Sequence, residues 1–102
     1  MELIQPELVK QRIEAGETLH LLDVRQPEEH ADFNIGGLLL PLGDIVSMQI
    51  DAIEDWRNQE VICYCRSGQR SMQAAMMLQS MGFSNVKNLV GGMLAWQAAY
   101  GR

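Results

Sequence analysis

Hydrophobic and polar positions along this chain alternate between two rhythms. Leu19-His20-Leu21-Leu22-Asp23-Val24 is a short, nearly continuous apolar run, the mark of a strand buried on both faces. A second strand is predicted over Glu60 to Tyr64, where Val61-Ile62-Cys63-Tyr64 repeats the pattern, and a third over Val86 to Val90. Leu38-Leu39-Leu40 before Pro41 predicts one more short buried strand. Between these runs the apolar spacing becomes helical. Pro6 at a first-turn position, then Leu8, Val9 and Ile13, with Gly16 as a stop, predict a first helix. Gln69 to Met81, closed by Gly82, predicts another, and Gly91-Gly92 opens a last one from Met93 to about Tyr100. Asp23 to Phe33 is polar and reads as a loop with one helical turn around Glu28 to Ala31. Gly43 to Arg57, carrying Ile45, Val46, Met48, Ile50 and Ile53, holds one or two short helices.

Strands alternating with helices predict an α/β fold with a mainly parallel sheet and helices on both faces. A chain of 102 residues suffices for one core, so residues 1–102 are read as a single domain. Ligand sites in such sheets lie at the carboxyl ends of the strands. Asp23, Cys65 and Gly91 all fall at predicted strand ends and so converge on one edge.

The net charge of −5, with no basic stretch to offset it, argues against general nucleic-acid binding. Arg66 and Arg70 therefore concentrate positive charge beside Cys65 on an otherwise acidic protein, a field that suits a small anionic substrate. Two cysteines make no disulfide framework. Cys63 and Cys65 also project from the same face of their strand, poorly placed to bridge each other. Reduced thiols, no membrane-length apolar window and no leader-like pattern in Met1 to Val9 suggest a soluble, cytoplasmic protein.

The candidate chemistry lies in Cys65-Arg66-Ser67-Gly68-Gln69-Arg70-Ser71. A strand that stops at a cysteine and turns through a glycine-containing loop into a helix aims several backbone N–H groups at one sulfur. That setting favours thiolate over thiol and holds a further anionic atom beside it. The competing reading of Cys65 is a buried core thiol, which would need neither the two arginines nor Gly68. Cys63, mid-strand between Ile62 and Tyr64, reads as packing, with a resolving thiol as the alternative.

This heptapeptide resembles the active-site loop of rhodanese-like sulfurtransferase domains. Asp23-Val24-Arg25, followed by Pro27 and Glu29, resembles that family's first motif, and Asn88-Leu89-Val90-Gly91-Gly92-Met93-Leu94-Ala95-Trp96 its C-terminal signature. The three stand in the family's order across essentially the whole chain. The resemblance implies a five-stranded sheet and a double displacement. Cys65 attacks the outer sulfur of a donor such as thiosulfate or a persulfide, and an acceptor thiol or other nucleophile then takes that sulfur from the enzyme. Arg66, Ser67, Gly68, Gln69, Arg70 and Ser71 would bind the substrate. Asp23, Arg25, Glu29, Gly91 and Gly92 would shape the site, with Arg25 paired to a carboxylate of the following segment, Glu29 or else Glu28. No metal or organic cofactor is implied.

Four residues separate Cys65 from Arg70. Phosphatase loops built on the same pair are one residue longer, so a cysteine phosphatase or arsenate reductase is disfavoured by analogy with loop-based phosphate sites. Thiosulfate-preferring members commonly carry a basic residue where this chain has Ser67. Phe33-Asn34-Ile35-Gly36-Gly37 replaces the family's usual Gly-His-Ile segment and looks like domains that work with sulfur-carrier activating enzymes. A sulfur-carrier protein is thus a second acceptor class, and a slow sulfur-binding module acting through a partner is a rival to the enzyme.

Other polar residues carry competing explanations. Arg70 binds substrate or sits exposed in the first helical turn; Ser67 and Ser71 bond the loop or cap the helix. Asp23 reads as structural, with acid–base chemistry as the alternative. His20 and His30 lack metal-ligand spacing and read as surface or strand-edge residues. Trp96, Leu94 and Tyr100 read as helix-to-sheet packing. Gly91 and Gly92 read as a tight turn that lets backbone approach the Cys65 loop. Met72, Met76, Met77 and Met81 read as core filler, with a partner-docking surface as the alternative.

Overall fold

The computed structural model describes all 102 residues. Its centre is a sheet of five strands: β1 (Glu2–Ile4), β2 (His20–Asp23), β3 (Leu38–Leu39), β4 (Glu60–Tyr64) and β5 (Asn85–Leu89). Their order across the sheet is β1-β5-β4-β2-β3, and every neighbouring pair is parallel. The helices are α1 (Pro6–Glu14), α2 (Pro27–Asp32), α3 (Leu42–Val46), α4 (Gln69–Ser80) and α5 (Gly92–Tyr100), with a 3-10 helix over Asp51–Trp56. No helix is long and apolar enough to cross a membrane.

Strand periodicity divides the core. Val61, Cys63 and Cys65 point to the face covered by Ile45 of α3, Ile53 of the 3-10 helix, and Ala74, Ala75 and Leu78 of α4. Ile62 and Tyr64 point to the opposite face, against Val9 of α1 and Met93 and Trp96 of α5. Val61, Ile62, Cys63 and Tyr64 are fully buried, as a central strand covered on both sides must be. Burying one large apolar side chain contributes roughly 1.5–3 kcal/mol. This doubly covered strand ends at Cys65, so the loop that follows starts from a rigid point.

One strand lies outside the sequence expectations, and one expectation needs correction. β1 went unplaced, because three residues before a proline, two of them exposed, carry little pattern; pairing with β5 makes the strand. Leu38–Leu40 is not a buried strand. β3 is a two-residue edge strand with Leu38 39% exposed, and only Leu40 is buried. The methionines of α4 also divide. Met77 and Met81 pack on the core, whereas Met72 and Met76 are exposed. Trp96 packs on the sheet, but Leu94 and Tyr100 are largely exposed.

Candidate active site

β4 delivers Cys65 to the carboxyl edge of the sheet, and Gly68 turns the chain into α4 with φ +104°, a left-handed conformation that glycine adopts without strain. The turn wraps three donors around the sulfur. Cys65 Sγ accepts from the Gly68 N–H at 3.1 Å, the Ser71 N–H at 3.4 Å and the Ser71 hydroxyl at 3.3 Å. The residue is only 1% exposed. Burial, the largest single influence, pushes its pKa up; the Ser71 hydroxyl and the N–H groups of Ser71, Gly68 and Ser67 outweigh it and hold the thiol below its ordinary 9.0. Cys63 has no such donors. Burial, reinforced by the neighbouring Cys65 charge, pushes it up to about 12, which keeps it a protonated packing group.

The loop is anchored from two sides. Asn88 of β5 donates from Nδ2 to the Gly68 carbonyl at 3.1 Å, and its Oδ1 accepts from the Ser71 hydroxyl at 2.5 Å. From the other side, the N–H groups of Met93 and Leu94 donate to the carbonyls of Cys65 and Arg66 at 2.9 and 3.0 Å. These bonds bring the start of α5 so close that a Cβ on Gly92 would lie 2.7 Å from the Arg66 oxygen, and Gly92 has φ +55°. Gly92 is the glycine in close contact with the Cys65 loop; a Cβ on Gly91 would instead meet Ala95, one turn along α5.

The charged neighbours pair differently from the expectation. Arg25 joins Asp23 rather than Glu29 or Glu28, through Nε–Oδ1 at 2.8 Å and Nη2–Oδ2 at 2.7 Å. The two lie side by side at the end of β2, and Asp23 is fully buried. His30 completes that cluster, its Nδ1 2.9 Å from Asp23 Oδ2, so it is no ordinary surface residue. His20, at the start of β2, stacks on Trp56. Glu29 instead takes Arg70 in a two-pronged pair at 2.7 and 2.8 Å and also accepts from the Gln26 N–H at the start of α2. The Arg70 pair, chiefly, holds its carboxyl at about 2.

Arg70's charge is thus already matched, and hydrogen bonds rather than free arginines dominate at the sulfur. Arg66 is exposed and lines a cleft of about 160 Å³ with Arg25, Glu29, Phe33 and Met93. Ser67 and Gln69 are exposed on the outer side of the loop. The important residue that sequence reading left unassigned is Asn88. β5 also carries Asn85 and Lys87, so nothing in the sequence marks Asn88 as the buried one.

The chain belongs to the rhodanese-like domain family, which matches residues 5–99. It is 37% identical over 94 residues to a protein named "Sulfurtransferase" from Allochromatium vinosum, covering 91% of this chain and 85% of that protein. It is equally 37% identical to "Putative sulfur carrier protein YrkF" of Bacillus subtilis, but there it spans 49% of the relative's length. The solution structure of the rhodanese-like domain of Alr3790 from Anabaena sp. superposes with a TM-score of 0.86 at 30% identity, covering 99% of this chain and 76% of that one.

Proposed function

We propose that this chain is a rhodanese-type sulfurtransferase that carries a sulfane sulfur as a persulfide on Cys65. The observation that supports it most is the ring of donors from Gly68 and Ser71 around Sγ. They stabilise a thiolate before reaction and negative charge in the same loop after it.

In the first step the Cys65 thiolate attacks the outer sulfur of an anionic donor, thiosulfate or a low-molecular-weight persulfide. A new S–S bond forms to Sγ, and the donor's own S–S bond breaks with its electron pair leaving as sulfite or thiolate. The negative charge of the nucleophile now resides on the outer sulfur. In the second step an acceptor thiolate attacks that sulfur, and the pair of the broken bond returns to Cys65. Neither step requires the protein to move a proton.

Arg66, exposed at the cleft, pairs with the anionic end of the donor. The N–H groups of Ser67, Gly68 and Ser71 and the Ser71 hydroxyl surround the transferred atom, and Gln69 meets the donor only from the loop's exposed side. Arg70, bound to Glu29, braces the first turn of α4. The name of YrkF points to a sulfur-carrier protein as one acceptor class.

Intact-mass spectrometry after mixing with thiosulfate or a low-molecular-weight persulfide tests this. Wild type gains one sulfur atom, lost again on adding a thiol acceptor, and Cys65→Ser gains none. The same adduct on Cys65→Ser would move the nucleophile to Cys63. Cys65-dependent hydrolysis of an aryl phosphate, with no sulfur adduct, would overturn the assignment.

A further inference from the structure

The hydroxyl of Ser71 has one proton and two acceptors. Its oxygen lies 3.3 Å from Cys65 Sγ and 2.5 Å from Asn88 Oδ1, and the proton serves only one of them at a time. The orientation of Asn88 is fixed by its other end. Nδ2 donates to the Gly68 carbonyl at 3.1 Å, and turning the amide over would set Oδ1 against that carbonyl oxygen. Asn88 is 2% exposed, so its polar side chain has been taken out of water, and both of its side-chain hydrogen bonds go to the 65–71 loop.

A neutral divalent sulfur is a weak acceptor beside an amide oxygen, and a thiolate is a strong one. The better partner for the Ser71 proton therefore changes with the charge on the sulfur. We propose that Asn88 is a positioning residue that competes with Cys65 for the Ser71 proton, yielding it while Sγ is ionised and taking it back once Sγ is neutral. Resting on the persulfide reading above, this gives the transfer cycle an internal counter-movement. When charge passes to the outer sulfur, the proton swings to Asn88 Oδ1; when charge returns to Sγ, it swings back.

The titratable and charged groups around Cys65 are Cys63 on β4, Arg66 on the loop, Arg70 on α4 with its partner Glu29 on α2, and Asp23 with Arg25 and His30 beyond. Asn88 hydrogen-bonds to none of them, so it reaches the sulfur only through Ser71 and the Gly68 turn.

The pH dependence of Cys65 alkylation by iodoacetamide, followed as a single adduct by intact mass, separates those two routes. Four proteins are compared: wild type, Ser71→Ala, Asn88→Ala and the double variant. Ser71→Ala raises the midpoint. Asn88→Ala lowers it by about 0.5 pH unit or more, because the hydroxyl then serves the sulfur alone. In the Ser71→Ala background the Asn88→Ala shift vanishes. A shift of equal size in both backgrounds, or an upward one, would overturn the proposal and leave Asn88 a brace for the turn. Asn88→Val, a strand former, repeats the comparison if Asn88→Ala does not fold. Failure of wild type to form the one-sulfur adduct would sink the persulfide reading, and the alkylation coupling stands or falls separately.

Discussion

Glu29 and Arg70 face each other across 41 residues of sequence through two parallel hydrogen bonds of 2.7 and 2.8 Å. The pair ties α2 to the first turn of α4 and satisfies the only arginine that sits inside the helix beginning at the cysteine loop. It also explains why hydrogen bonds, not a bare cation, hold the Cys65 thiol down.

Glu29→Gln releases that arginine. With its counter-charge gone, Arg70 exerts more positive field on Cys65, and the midpoint of Cys65 alkylation moves to lower pH by less than about one unit. The exposed part of the pair contributes little to folding, so the loss of stability stays near 1 kcal/mol or below. An unchanged midpoint would show that Arg70's charge does not reach the sulfur.

Acid should destabilise the protein over a defined window. Glu60 bonds Arg12 at 2.6 and 3.0 Å and Lys87 at 2.5 Å, and chiefly the Arg12 pair lowers it from 4.5 to about 2, as Arg70 does Glu29. A carboxyl depressed in the folded state adds stability that is present above its unfolded value and lost as pH falls through the folded one. Melting temperature therefore falls between about pH 4.5 and pH 2. Glu60→Gln lowers the melting temperature at pH 7 by about 5 °C, equivalent to about 1 kcal/mol, and makes the acid decline shallower. A melting temperature flat down to pH 2 would contradict the pairing.

Gly92→Ala places a methyl group against the carbonyls of Cys65 and Arg66 in a left-handed backbone. Neither backbone can retreat without breaking the Met93 and Leu94 bonds. We expect a loss of about 2–4 kcal/mol in urea unfolding, together with a higher Cys65 alkylation midpoint as the donor ring loosens. Gly43, where a Cβ meets nothing within 4 Å, is the control: Gly43→Ala leaves both measurements near wild type.

Asp23→Asn leaves the Arg25 guanidinium buried without its charge partner. A cost of about 3–5 kcal/mol in chemical denaturation is expected. Sulfur uptake per folded molecule stays near wild type, since Asp23 makes its bonds to Arg25 and His30 and none to Cys65. A fall in uptake with unchanged stability would give Asp23 a chemical role after all.

The sequence showed most clearly what is periodic or contiguous. β2 and β4 announce themselves because burial on both sheet faces demands near-continuous apolar runs, β5 by Val86, Leu89 and Val90 around its polar positions, and α1, α4 and α5 by their helical spacing. The cysteine loop is a local turn, so its donors were legible from seven consecutive residues. Pairings between distant segments were not. Arg25 has carboxylates both before and after it in the sequence, and only three-dimensional placement sends it to Asp23 while Glu29 turns to Arg70. β1 escaped because a three-residue edge strand owes its existence to β5, not to its own residues.

No residue of α2 is buried. Three ion pairs hold it to the rest of the chain: Glu29 to Arg70, His30 to Asp23 and Asp32 to Arg102. One wall of the candidate site is therefore fastened like a strap with buckles, whereas the sheet beneath is welded by packing. Added salt weakens the exposed buckles and leaves the weld alone. Hydrogen exchange at residues 27–32 should accordingly quicken with ionic strength while β4 stays protected, making this the segment that yields first to a bulky partner.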